Sequence, residues 1–342
     1  MLDDPGSSLS RLLATELPAL DRWRADLRRR LPRADPVRPA WTPELGAVPW
    51  GTLGLAIDAR ARLALTDLSI TQVLLHGPAT YTVDAFLTDG AEPGDPVYEH
   101  VTHDVVVGLR PAPAPVQQRR RTLGLVLRQL LNDAVEICRS HCPHQTPGLV
   151  LEEGAERDLC RLLFVAGWLE EVARTGRVFP GSALDRLVSS GADDPAAVLQ
   201  LVPASAVNDL VAMLERAAGV GDLEGLRERQ PVRPGPTFAG SRLVGGADAD
   251  LIAGTLLVDV KATLDPRRAK REDLQQLIGY VLLDLEDRYG LDEIGFFYAR
   301  HGTLVSWQLS QLLELIGTAQ SLSALRVRVA EACAESGAER SL

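Results

Sequence analysis

The sequence predicts a mixed α/β protein, an α+β arrangement in which a C-terminal core with a mixed sheet follows a mixed, largely helical N-terminal extension. Three observations carry this. Two apolar runs, Ala249 to Ala253 and Thr255 to Thr263, flank a tight Ala253-Gly254 turn, the pattern of a β-hairpin. Leu274, Leu277, Ile278, Val281 and Leu285 recur at helical spacing just after it. Between Val116 and Arg229 the apolar residues again follow a helical period.

Taken in order, the chain opens with an amphipathic helix expected over Leu9 to Leu31, stopped before Pro32. Pro32 to Pro49 reads as a linker. Short runs of strand character follow at Leu63 to Leu75, Tyr81 to Leu87 and His100 to Leu109, separated by Gly, Pro and Asp. The PAPAP segment, Pro111 to Pro115, marks a boundary, since proline interrupts both backbone ladders. Helices are expected at Arg121 to Arg139, Glu152 to Arg174, Ser182 to Ser189, Ala204 to Ala218 and Asp222 to Arg229. After the breaker Pro231 to Pro236 come the hairpin, a helix from Arg271 to Tyr289, a strand from Glu293 to Arg300, a His301-Gly302 turn and a strand from Thr303 to Leu309. The implied organisation is 1–115, a mixed N-terminal region; 116–230, a helical region packing on the core; and 231–342, the core.

The 342 residues carry a formal charge of −10, which argues against a protein that coats nucleic acid non-specifically through dense Lys and Arg. A site that gathers carboxylates around a metal is compatible with that balance, and Arg267, Arg268, Lys270 and Arg271 form a local basic cluster, either a solvated loop or a nucleic-acid contact. The first ten residues are acidic where a signal peptide needs a basic start, and no stretch has the length of a membrane span, so a cytoplasmic protein is expected. Four cysteines, Cys138, Cys142, Cys160 and Cys333, are too few for a disulfide scaffold.

Asp259 and Lys261 stand two apart on the strand TLLVDV and so share a face. Burying that carboxylate and ammonium without partners would cost several kcal/mol. They are therefore either a structural ion pair or part of a site completed by metal and water. Asp248 and Asp250, also two apart, lie on the preceding strand after Gly245-Gly246, so three carboxylates and a lysine converge across one hairpin. Hard oxygen ligands in this number suit Mg²⁺ or Mn²⁺. A divalent cation polarises a phosphoryl oxygen and lowers the pKa of a bound water, which a nearby lysine can orient. Gln276 and Tyr280, at i and i+4, share one flank of the following helix.

The series Asp250, Asp259-Val260-Lys261 and Gln276-x-x-x-Tyr280 resembles the PD-(D/E)XK nuclease superfamily, in its RecB-like branch with a Q-x-x-x-Y motif. The resemblance covers about 70 residues and rests on the combination of motifs. It implies a restriction-endonuclease-like core that hydrolyses phosphodiester bonds of DNA, as endonuclease or exonuclease. Asp250 and Asp259 would be Mg²⁺ ligands, Lys261 the catalytic lysine, and Gln276 and Tyr280 positioning residues. Ala249 replaces the proline of the motif name, and the helix glutamate of the family is open among Glu153, Glu156, Glu215 and Glu224, with Glu156 preferred. Asp248 is either a further ligand or a turn residue. A second expectation is a catalytically silent nuclease fold that binds a partner protein; a third is an unrelated α/β domain with a structural Asp–Lys pair.

Cys138, His141, Cys142 and His144 lack the spacing of an iron–sulfur or zinc site and read as helix-end and packing residues. The glycines of 240–246 are not followed by the G-K-[ST] of a P-loop.

Overall fold

The computed structural model describes residues 8–32, 34–39, 41, 49–66, 77–89, 109, 112–141, 149–244 and 246–339. The chain forms two compact units, which differ from the three regions expected. One joins the residues up to Pro36 to Arg216–Leu342, and the other is Val37–Glu215. The N-terminal residues join the C-terminal core because their apolar face is part of it: Leu9, Leu13, Leu17, Trp23 and Leu27 are buried in one cluster with Leu277, Phe296 and Trp307. The single helix expected here is two, α1 (Ser8–Glu16) and α2 (Leu20–Arg30), broken at Pro18, which cannot donate within a helix.

The unit 37–215 is helical throughout its described elements: α3 (Trp50–Leu65), α4 (Pro78–Thr88), α5 (Ala114–Ser140), α6 (Glu153–Thr175), α7 (Ala183–Ser190), α8 (Pro195–Leu199) and most of α9 (Ala204–Val220). The strands expected at Leu63 to Leu75 and Tyr81 to Leu87 are corrected by this: Leu63–Leu65 end α3, and 81–87 lie within α4. Residues 67–75, and the strand expected at His100 to Leu109 except for Leu109 itself, fall outside the described residues. Pro78 at the first position of α4 explains the local choice, because it fixes φ near the helical value where no donor is needed. PAPAP likewise starts a helix: Pro113 precedes α5, whose first turn holds Pro115. α3 packs against α6, and α4 against both α5 and α6.

In the other unit, α10 (Asp222–Glu228) leads to a five-stranded sheet in the order β1-β2-β3-β4-β5: β1 (Val232–Pro234), β2 (Leu251–Ala253), β3 (Leu256–Lys261), β4 (Glu293–Tyr298) and β5 (Thr303–Gln308). β1, β2 and β3 are successively antiparallel, β3 and β4 are parallel, and β4 and β5 are antiparallel. α11 (Arg271–Leu283) makes the crossover from β3 to β4, as a parallel pair requires. α12 (Leu309–Leu315) and α13 (Leu322–Glu339) complete the chain. β1 lies inside the segment expected to be only a breaker; its prolines are tolerated because it is an edge strand.

Local chemistry fixes these elements. Gly254 takes φ 61° at the first of two loop positions between Ala253 and Leu256, which are directly paired. Gly302 turns β4 into β5 with φ 65°, and a Cβ there would stand 2.6 Å from the Arg216 carbonyl oxygen. α11 stops at Leu283 rather than at Tyr289 because the Asp284 carboxylate accepts from the backbone N–H groups of Arg288 and Tyr289. Leu274, Leu277, Ile278 and Val281 are fully buried on α11, each worth about 1.5–3 kcal/mol of burial. Among the described residues, no helix is long and apolar enough to cross a membrane.

Candidate active site

β3 and its neighbours set the site by register. Leu251 pairs with Val258, so one residue further out Asp250 stands opposite Asp259. Asp259 and Lys261 share the sheet face of Leu257, and on β4 their partners are Phe296 and Tyr298. α11 packs against β3 and β4. The polar end of this face therefore lies where the strands run out of apolar residues, beneath the first turns of α11.

Asp259 is 5% exposed. The Lys261 ammonium stands 2.8 Å from its Oδ2, an ion-pair distance. Burial pushes the Asp259 carboxyl up to about 7 against the pull of Lys261, and the charges of Asp250 and Asp273 act in the same direction as burial. Burial works against the Lys261 ammonium, but Asp259 first and then Asp273 and Asp250 hold its pKa above the ordinary lysine value. Asp250 Oδ2 accepts from the Val260 N–H at 2.7 Å, which aims the carboxylate across the hairpin.

Gln276 Nε2 donates to Tyr280 Oη at 2.8 Å, so the two residues act as one unit on α11. Burial raises the Tyr280 pKa, Gln276 opposes it, and Asp250, Asp248 and Asp259 raise it further, which places the phenol among these carboxylates. Phe238 stacks on its ring at 5.8 Å. Asp248 is half-buried and bridges to Thr237 at the start of the hairpin approach, where it acts on Tyr280 as a charge.

Glu156 is placed elsewhere. It belongs to the unit 37–215, where the Arg60 guanidinium grips it in a fork, Nε to Oε1 and Nη2 to Oε2, both at 2.7 Å. The Leu151 N–H donates to the same carboxylate at 2.8 Å. Its lone pairs are spent, so the expectation that it serves as a metal ligand is corrected to that of a buried ion pair. Glu215 and Glu224 are exposed, and Glu224 lies 3.8 Å from Arg227. Of the basic cluster, Arg267, Arg268 and Lys270 face solvent, whereas Arg271 turns inward and donates to the Ala14 carbonyl at 3.1 Å, tying α11 to α1. Cys138, Cys160 and Cys333 are buried; Cys142 and His144 lie outside the described residues.

Two residues of the site escaped the sequence. Asp273, in the first turn of α11, places Oδ1 3.4 Å from Lys261 Nζ, while its Oδ2 accepts from the Lys270 N–H at 2.7 Å. Its signal was an acid at the third helical position, a placement that caps a helix and draws no further notice. Tyr298 pairs with Lys261 across a parallel register that no local pattern encodes. Lys261, Asp273, Phe296, Tyr298 and the loop 263–270 line a cavity of about 220 Å³.

A cation fits this donor set in one way. Among the described residues no three His, Cys, Asp or Glu side chains gather closely enough to hold a metal by themselves. Two facing carboxylates whose charges oppose one another suit Mg²⁺, which keeps several waters and takes one or two carboxylates plus substrate oxygens. No family model, no curated protein and no solved structure matches the chain.

Proposed function

We propose that this protein is a metal-dependent nuclease with a restriction-endonuclease-like core of the PD-(D/E)XK type, acting on phosphodiester bonds of DNA. The observation that carries it is the convergence, on one polar end of the sheet, of Asp250 facing Asp259 with Lys261 2.8 Å from the latter. A structural ion pair accounts for Asp259 and Lys261 alone. It leaves a second carboxylate set opposite the first, whose charge works against ionisation of Asp259 and which a cation would offset.

The residues divide the work as follows. Asp250 and Asp259 would hold Mg²⁺ or Mn²⁺, which when bound supplies Lewis-acid polarisation of a phosphoryl oxygen and an acidified water. Lys261 keeps its proton and offsets negative charge that develops on the phosphoryl group. Asp273, bound to Lys261, fixes the direction of the ammonium. Gln276 and Tyr280 present a donor and a phenol beside the carboxylates and position the strand. The strand order β2, β3, α11, β4 matches the middle of the superfamily core that the motifs resemble.

One observation favours a second reading. Lys261 is engaged by two carboxylates at once, which is also how a silent nuclease fold retained for binding a partner protein would neutralise its former site. The test is cleavage of linear and circular DNA in Mg²⁺ or Mn²⁺, beside calorimetry of the metal, for the wild type and Asp250→Ala. Metal binding and cleavage that both disappear in a folded variant support the nuclease. Wild-type protein that binds no metal and cuts neither substrate moves the site to the silent reading.

A further inference from the structure

We infer that α2 and the loop 263–270 form a two-sided basic cradle that takes the phosphodiester backbone of a nucleic-acid strand at the mouth of the cavity beside Lys261. The inference rests on the nuclease reading for its ligand and adds a wall from the far end of the chain.

α2 packs against the 3₁₀ turn Pro266–Arg268 within that loop. The Arg24 guanidinium donates to the Ala269 carbonyl at 3.2 Å, and Trp23 packs on Phe296 with ring centroids 6.1 Å apart. Ala269 and Phe296 both line the cavity, so α2 borders it. Arg28 stands one turn beyond Arg24 on the same helix face. It is exposed and has no carboxylate partner among the described residues. The loop that α2 packs against presents Arg267, Arg268 and Lys270, all exposed; the Arg268 side chain is 87% exposed and pairs with Asp265 at 3.2 Å.

The charge is layered. The floor holds Asp273 and Lys261, with Asp259 behind them, whereas the rim holds Arg24, Arg28, Arg267, Arg268 and Lys270 against Asp21 and Asp265. This excess of positive charge sits on a chain whose net charge is −10. A basic rim over an acidic floor attracts a polyanion to the rim and keeps its phosphates off the bare carboxylates. Guanidinium groups on two adjoining elements grip successive phosphates without reading bases, so the recognition is of the backbone.

Fluorescence anisotropy of a labelled 20-nucleotide single strand, titrated in EDTA at several salt concentrations, tests this on the full chain. Each phosphate contact on a single strand contributes about 0.7 to the slope of log K against log salt. Arg28→Ala/Arg268→Ala should lower the slope by about 1.4. Arg22→Ala, exposed but about 200° round α2 from Arg24 at 100° per residue, should leave it unchanged. Circular dichroism confirms that each variant folds. A slope untouched by the double substitution, or lowered as much by Arg22→Ala, overturns the cradle. Poly-glutamate that competes as well as the oligonucleotide at equal charge overturns the phosphodiester assignment, and duplex DNA and RNA arms identify the strand bound. A wild type that shows the slope but never cleaves in Mg²⁺ retains the cradle and removes the nuclease; one that cleaves with an insensitive slope does the reverse.

Discussion

Replacing Asp259 by Asn should stabilise the protein in neutral, metal-free solution. The unfolded chain presents this carboxyl with its ordinary pKa of 3.8, and the folded chain raises it to about 7. The gap of about three pH units corresponds to about 4 kcal/mol. Below about pH 4 the group is protonated in both states and costs nothing. Between about 4 and 7 the unfolded state releases its proton while the folded state keeps it, so stability falls as pH rises, and above 7 the full penalty is present. The attraction of Lys261 is already contained in the folded value, because it is among the causes that set it. Asn has the same shape and no charge, so the variant should exceed the wild type at pH 8 in EDTA by up to about 4 kcal/mol, with the difference closing toward pH 4. Saturating Mg²⁺ should raise the wild type and leave the variant where it was. Urea denaturation followed by circular dichroism at pH 4, 6 and 8 measures each quantity. An Asp259→Asn variant less stable than the wild type at pH 8 in EDTA would show that the carboxylate strengthens the fold, as an ordinary ion pair, and the reasoning would fail.

Lys261→Met should cut the cleavage rate by about 100-fold or more with little change in melting temperature, measured as single-turnover rates in Mg²⁺. Tyr280→Phe removes the acceptor of the Gln276 hydrogen bond; about 1 kcal/mol of stability should be lost. Its cleavage should fall by about tenfold or more, and a rate unchanged beside the stability loss would make the pair structural. Glu156→Gln breaks the fork with Arg60 inside the helical unit and should cost about 3–5 kcal/mol in urea denaturation. Mg²⁺ calorimetry of that variant should match the wild type, and a weakened metal isotherm would return Glu156 to the site.

The polar end of the sheet was legible because strands and helices impose short, fixed periods. Asp259 and Lys261 at two residues, and Gln276 and Tyr280 at four, are neighbours wherever those elements form. The convergence of the hairpin carboxylates was legible too, but not which of them faces Asp259: the expected Ala253-Gly254 turn sets Asp248 opposite it, whereas the loop is Gly254-Thr255 and brings Asp250 there. Tyr298 and Asp273 were hidden for the opposite reason: their positions depend on a parallel register and a crossover helix, settled by long-range packing. The N-terminal misreadings have a similar source. Tyr81, Thr82 and Val83 favour strands locally, but Thr82, Val83, Phe86 and Leu87 are buried on a helix that Pro78 starts, and tertiary burial outweighs a preference of a few tenths of a kcal/mol. α1 and α2 gave their own periodicity and no hint that their partners lie about 250 residues or more further along the chain.

That last pairing sets an order of events during synthesis. α1 and α2 leave the ribosome ahead of the inserted unit, yet Leu277, Phe296 and Trp307, against which their leucines and Trp23 are buried, emerge only after the intervening residues 37–215. At 5–20 residues per second the two helices wait on the order of ten seconds or more with their apolar face uncovered. The inserted unit can fold in that interval from its own contiguous chain, while the other unit cannot close until the strand that carries Trp307 has been made. A short linker in place of residues 37–215 would abolish the wait, and a fusion of 1–36 to 216–342 is the smallest piece in which the candidate active site can be expected to assemble.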